Sequence, residues 1–221
     1  MSTFPNSPLV FKGGIVLLDP ESGAVRRIIS LQYNPDTLTR SLQIQGVSVD
    51  GDGADRSEVL RLKGPPIETL KLDAEIDATD QLEFPDQNAN AVESGIYPQL
   101  AALETIVYPS SRSLQANNDR SKSGRLEIIP MQSALTLFIW SKNRILPVRL
   151  TEFSITEEAF DAALNPIRAK VSLGMRVLSV DDVGFDHKAG SLFMVYQQQK
   201  EQLARQARRG TFARLGITGI P

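Results

Sequence analysis

The 221-residue sequence contains no cysteine, one histidine and one tryptophan. Without cysteine there is neither a disulfide framework nor a thiolate metal site, and a single histidine leaves carboxylates as the ligand class for any metal cluster. An excess of one charge is missing too, since 24 Lys plus Arg stand against 26 Asp plus Glu, a formal net charge of -2. That balance supplies no uniform field for holding nucleic acid or an anionic lipid surface, so neither is expected as a partner. No apolar run approaches the roughly 20 residues of a membrane helix. Met1 to Pro8 is polar and broken by proline, without the basic start and apolar core of a secretory signal. These absences predict a chain made and assembled in the cytoplasm, with no membrane partner.

What is present is an ordinary globular composition, 41% hydrophobic and 23% charged, patterned mainly for β-structure. Leu9 to Leu18 and Val25 to Tyr33 read as two strands of a hairpin around the turn residues Asp19-Pro20-Glu21-Ser22-Gly23. Asn34-Pro35-Asp36 breaks the chain, and Leu38 to Gln45 then alternates apolar and polar residues, so the sheet continues there. Val49 to Arg56 is rich in Asp and Gly and is expected to be a mobile loop or hairpin tip. From Glu68 to Ile76 the alternation puts Leu70, Leu72, Ala74 and Ile76 on a buried face and Lys71, Asp73 and Glu75 on the other.

A polar stretch, Gln81 to Ser94, precedes Ile96, Leu100, Leu103, Ile106 and Val107, whose spacing predicts a helix over about 95–108 packed on the sheet. Ser110 to Gly124, rich in Ser, Asn and Arg, is expected to be an exposed loop. Leu126 to Ile129, Ala134 to Trp140, Arg144 to Phe153 and Ile167 to Leu178 read as strands, the last two joined through Thr156 to Pro166. Ala189 to Arg209 reads as a helix stopped by Gly210, with a small-residue tail from Thr211 to Pro221. The chain thus divides into a β-domain over 1–186, with one packed helix, and a C-terminal helix and tail over 187–221.

Candidate reactive groups are few. Asp186 beside His187 suggests an acid/base pair, but neighbours in sequence rarely face each other, no nucleophile elbow accompanies them, and an aspartate before a helix serves as a cap. Asp73, Glu75, Asp77 and Asp80 could attract a divalent cation, yet on a strand the same pattern makes a charged outer face. That cluster lacks the central glycine and terminal glutamate of a calcium loop. Asp50-Gly51-Asp52-Gly53-Ala54-Asp55 superficially resembles such a loop but reads as a flexible tip, and Gly13-Gly14 and Gly51/Gly53 lack phosphate-loop spacing and its Lys-Ser/Thr. Trp140 sits in an apolar run and is expected in the core. No catalytic residue, cofactor site or metal site is expected, and the chain reads as a non-enzyme.

Three strings carry a resemblance. Gln32-Tyr33-Asn34-Pro35-Asp36-Thr37-Leu38-Thr39-Arg40-Ser41-Leu42 resembles a strand-turn-strand of the tube-domain family of contractile injection systems. Gly64-Pro65-Pro66 through Asp80 is similar to that family's second signature, and Gly95 to Glu104, closing with Tyr108-Pro109, to its helix segment. The likeness runs from roughly Leu9 to Leu178. It implies a tail-tube-like β-barrel or sandwich with a flanking helix, assembled as a homo-hexamer ring that joins the inner tube to spike and baseplate proteins. Many relatives continue into a LysM module, which is missing here. The C-terminal helix and tail are the substitute candidate for docking, through Arg205, Arg208, Arg209, Phe212, Leu215 and Ile217. The arginines would meet an acidic partner, and the apolar residues would fill a groove on a baseplate or spike protein. The alternative reading is a β-rich module binding a small ligand or glycan.

Overall fold

The computed structural model describes residues 10–46, 61–122, 133–207 and 210–220. Among these residues seven strands form one antiparallel sheet: β1 Gly14–Leu18, β2 Val25–Ser30, β3 Thr39–Gln43, β4 Ile67–Asp77, β5 Leu135–Ser141, β6 Arg144–Phe160 and β7 Pro166–Val177. Their spatial order is β2-β1-β5-β6-β7-β4-β3. The expected strands Leu126 to Ile129 and the loop Val49 to Arg56 lie outside the described residues.

The β1–β2 hairpin forms where the turn chemistry predicts. The Asp19 carboxylate accepts the backbone N–H groups of Ser22 and Glu21, the Ser22 hydroxyl and the Arg26 guanidinium. The Ser22 backbone N–H and then the Arg26 guanidinium hold its carboxyl down at about 2. The sheet does continue at β3, but at the far edge from β2. Gln32 explains the crossing: its side chain accepts the N–H of Asp77 at 3.0 Å and donates to the Asp77 carbonyl at 2.6 Å, so the chain is clamped to the end of β4. Asn34 likewise accepts from Gly13 N and donates to Phe11 O, each within 2.9 Å.

β4 follows its alternation. Leu70, Leu72, Ala74 and Ile76 are buried opposite Met175, Leu173, Val171 and Ala169 of β7, while Lys71, Asp73 and Glu75 face solvent. Against this apolar face packs α3, Tyr97–Glu104, through buried Leu100 and Leu103, with Ile96 at its start. Gly95 has φ 57 and lies so close to the Pro166 carbonyl that no Cβ fits. The next N–H, of Ile96, donates to that carbonyl at 2.8 Å. β1 is buried on both faces, Ile15 and Leu17 in the main core and Val16 and Leu18 in a second cluster with Leu135, Leu137 and Ala189.

The polar stretch before α3 holds α1 Thr79–Leu82, a 3-10 turn Pro85–Gln87 and α2 Ala89–Ser94. Two expectations are corrected. Ser110 to Gly124 contains α4, Ser111–Lys122, rather than a loop. No glycine or proline interrupts those twelve residues, and Ser110 Oγ accepts the Ser113 N–H at 3.1 Å, so local helix preference wins although no residue of α4 is buried. β6 runs on to Phe160, well beyond the expected end near Phe153, because it keeps its pairing with β7 through register shifts after Leu150 and Glu157.

After β7, α5 Val180–Val183 is started by a capping box between Ser179 and Asp182. The last helix, α6 Lys188–Gln206, buries Ala189, Gly190, Phe193 and Tyr196, and the last two belong to the same core as the sheet. No helix among the described residues is long and apolar enough to cross a membrane.

Candidate functional site

The two ends of the sheet are its first candidate surfaces. Among the described residues β2 pairs only with β1 and β3 only with β4, so each strand has one side of its backbone unpaired by any of them. Both edges also carry apolar side chains in solvent, Val25 and Ile28 on β2 and Leu42 on β3, with Ile44 just beyond. Unpaired backbone groups next to exposed apolar side chains form a template for another strand.

The C-terminal segment is the second. α6 begins at His187, whose Nδ1 accepts the Ala189 N–H at 3.1 Å, so the histidine and not Asp186 is the cap. The unprotonated ring nitrogen reaches the second N–H of the helix from an extended backbone, the role a short carboxylate was expected to fill. Beyond the buried start of α6 the surface turns polar, and Arg205 is exposed near its end. Arg208 and Arg209 lie outside the described residues. Phe212 and Leu215 flank a 3-10 turn closed by Gly216 at φ 72, and the Ile217 N–H donates back to Phe212 O at 3.1 Å. The structure therefore brings Phe212, Leu215 and Ile217 together in one short turn and leaves all three exposed.

One polar centre was missed in the sequence. Glu68, on the apolar face of β4, is 3% exposed. It accepts the Tyr196 hydroxyl of α6 at 3.0 Å, and the Lys200 ammonium stands 3.6 Å from its other oxygen and 4.2 Å over the Tyr196 ring. Arg40 Nε of β3 lies 3.0 Å away, but its angle makes this an ion pair without a hydrogen bond. The signal was available, because Glu68 shares its parity with Leu70 and Leu72, and a carboxylate on a core face needs partners.

The outer face of the sheet is a charged ladder. Lys71 pairs with Glu152 at 2.9 Å, Asp73 with Lys170 at 3.4 Å and Asp77 with Arg168 at 2.7 Å. The Ser172 hydroxyl, foremost, and Lys170 lower the Asp73 carboxyl. For Asp77 partial burial acts upward, but bonds from Thr79 and Arg168 outweigh it and leave the carboxyl lowered. Two of the four suggested cation ligands are thus occupied by cations of the chain itself, and among the described residues no three His, Asp or Glu side chains gather to hold a metal. A groove of about 410 Å³ between β2, β4 and α3 is lined by Ile28, Leu31, Ile76, Pro98 and Leu103. Trp140 is only partly buried and packs against the edge of the core beside Phe138, ring centroids 5.9 Å apart.

Fold and site define a mainly β protein, a seven-stranded antiparallel sheet with flanking helices. No family model matches the chain, and no curated protein matches it.

Proposed function

We propose that this chain is a structural, non-enzymatic subunit of a contractile injection machine, a ring-forming adaptor that joins the inner tube to the spike and baseplate. The observation that carries the reading is the pair of unpaired edge strands, β2 and β3, at opposite ends of one sheet. Strands so placed let each copy extend its sheet into the next, and a closed ring of six copies leaves no edge free. In this reading the tail-tube-like barrel is completed between copies. Of the three strings that resemble the tube-domain family, the first two fall on the parts that create the β3 edge and the third on the helix that packs on the sheet. Gln32 to Leu42 is the crossing from β2 to β3, Gly64 to Asp80 is β4, and Gly95 to Glu104 supplies α3 and its glycine contact.

The C-terminal helix and tail dock the ring to its neighbours in the particle, with Arg205, Phe212, Leu215 and Ile217 as contact residues. The exposed turn built by Phe212, Leu215 and Ile217 supports this role, since none of the described residues covers it. The test is the purified chain with its tube partner, measured by native mass spectrometry and negative-stain imaging. Rings of six copies are expected. A chain that stays monomeric, or closes with another stoichiometry, defeats the reading. Deleting Thr211 to Pro221 should leave folding intact and reduce the yield of complete particles. Full yield from the truncated chain would remove the docking role.

A further inference from the structure

The hairpin between β6 and β7 ends in an unusual turn. Leu164 sits at φ 64 and is 74% exposed. A residue with a Cβ avoids this left-handed region, which glycine and asparagine occupy readily. Phe160, at the end of β6, is also exposed. The turn nevertheless holds its shape. The Asp161 carboxylate accepts the N–H groups of Ala163 and Asn165, both at 2.8 Å, and the Asn165 side-chain amide at 2.9 Å. That amide also donates to the Glu93 carbonyl at 3.1 Å, which ties the tip to α2. Two large apolar side chains are therefore presented to solvent on a fixed turn, where folding of the single chain gains nothing from them.

The tip is acidic. Residues 157–165 include Glu157, Glu158 and Asp161 and no Lys or Arg. The nearby cation Arg168 is paired with Asp77. Residues 203–221 are the opposite, with Arg205, Arg208, Arg209 and Arg214 and no acidic side chain. Within that basic segment Phe212, Leu215 and Ile217 are exposed. In a chain of net charge -2, these segments are complementary, each combining exposed apolar side chains with charge of opposite sign in its sequence. Within one chain the contact is not made, because both apolar sets remain in solvent.

We infer that the C-terminal segment of one copy docks on the β6–β7 hairpin tip of a second copy. Tail and tip are different surfaces, so the contact is head-to-tail, the kind that propagates into a ring or an open chain. The inference rests on the proposed role of the tail as a docking element and names its partner, but it needs no tube, spike or baseplate protein to be tested.

Because the chain has no cysteine, cross-links can be placed at will. Leu164→Cys in a mass-tagged chain is mixed with untagged Ile217→Cys under mild oxidation, with Gln115→Cys on exposed α4 as the control partner. Only a contact between copies yields the mixed dimer. The 164–217 product is expected in about tenfold excess over the 164–115 product at low ionic strength, falling several-fold in 0.5 M salt as the opposite charges are screened. The pair Glu157→Gln and Glu158→Gln should lower it similarly. No excess over the control overturns the inference, and so does a product dominated by 164–164 links, in which tip meets tip. Rings of six without a 164–217 link overturn this contact and leave the ring reading standing. A 164–217 link in a chain that forms only open assemblies supports the contact and counts against the ring.

Discussion

The Tyr196 hydroxyl of α6 donates to Glu68 Oε1 of β4 at 3.0 Å, across 128 residues of sequence. Around it stand Arg40 of β3 and Lys200 of α6. A single buried carboxylate thereby joins an edge strand, the strand beside it and the terminal helix. The two cations keep part of their surface in water, which limits their desolvation cost, whereas Glu68 is almost wholly buried and has them as its counter-charges.

Glu68→Gln should destabilise the chain by about 2–3 kcal/mol, since it leaves two cations facing an amide and weakens the bond to Tyr196. Chemical denaturation measures the loss, and hydrogen exchange should place it at β3 and the middle of α6. A variant as stable as the parent would show that the centre contributes nothing.

Tyr196 gives a pH signature. Burial first, and then the Glu68 charge, push its hydroxyl up to about 12, against the smaller opposite effect of Arg40. The folded state thus holds the proton more tightly than the unfolded chain. Its contribution is complete below pH 10 and is lost between pH 10 and 12, up to roughly 3 kcal/mol. Lysines titrate in the same window, so the measurement is the difference between the parent and Tyr196→Phe. Parallel stability curves across pH 9 to 12 would contradict it.

The core face of β4 and α3 should respond as a packed interior. Leu70→Ala, Leu72→Ala, Leu100→Ala and Leu103→Ala, all at buried positions, should each cost about 2–5 kcal/mol. Lys71→Ala on the opposite face, whose partner Glu152 is also exposed, should cost under about 1 kcal/mol. Equal losses on the two faces in thermal unfolding would rule out the register of β4.

Leu164→Gly should stabilise the isolated chain by about 0.5–1 kcal/mol, because glycine accepts the left-handed backbone without strain. The same change should weaken association between copies, measured by sedimentation. Stability and association moving down together would mean that the leucine serves the fold of its own chain.

The sequence by itself determined whatever depends on neighbours a few residues apart. The period-2 pattern of Glu68 to Ile76 named the buried and exposed faces of β4, Asp19 to Gly23 named the first turn, and the spacing of Leu100 and Leu103 named the side of α3 that packs. It also named Phe212, Leu215 and Ile217 as apolar residues with nothing local to bury them. Tertiary structure alone decided what joins segments distant along the chain. Alternation says that Thr39–Gln43 is a strand but not which strand it pairs with, and the clamp of Gln32 on Asp77 carries it to the edge opposite β2. Parity marks Glu68 as misplaced on an apolar face, but its counter-charges come from β3 and α6 and are supplied by the packing. The left-handed φ of Leu164 likewise has no trace in residue type, because the closure of the β6–β7 hairpin imposes it against the preference of the side chain.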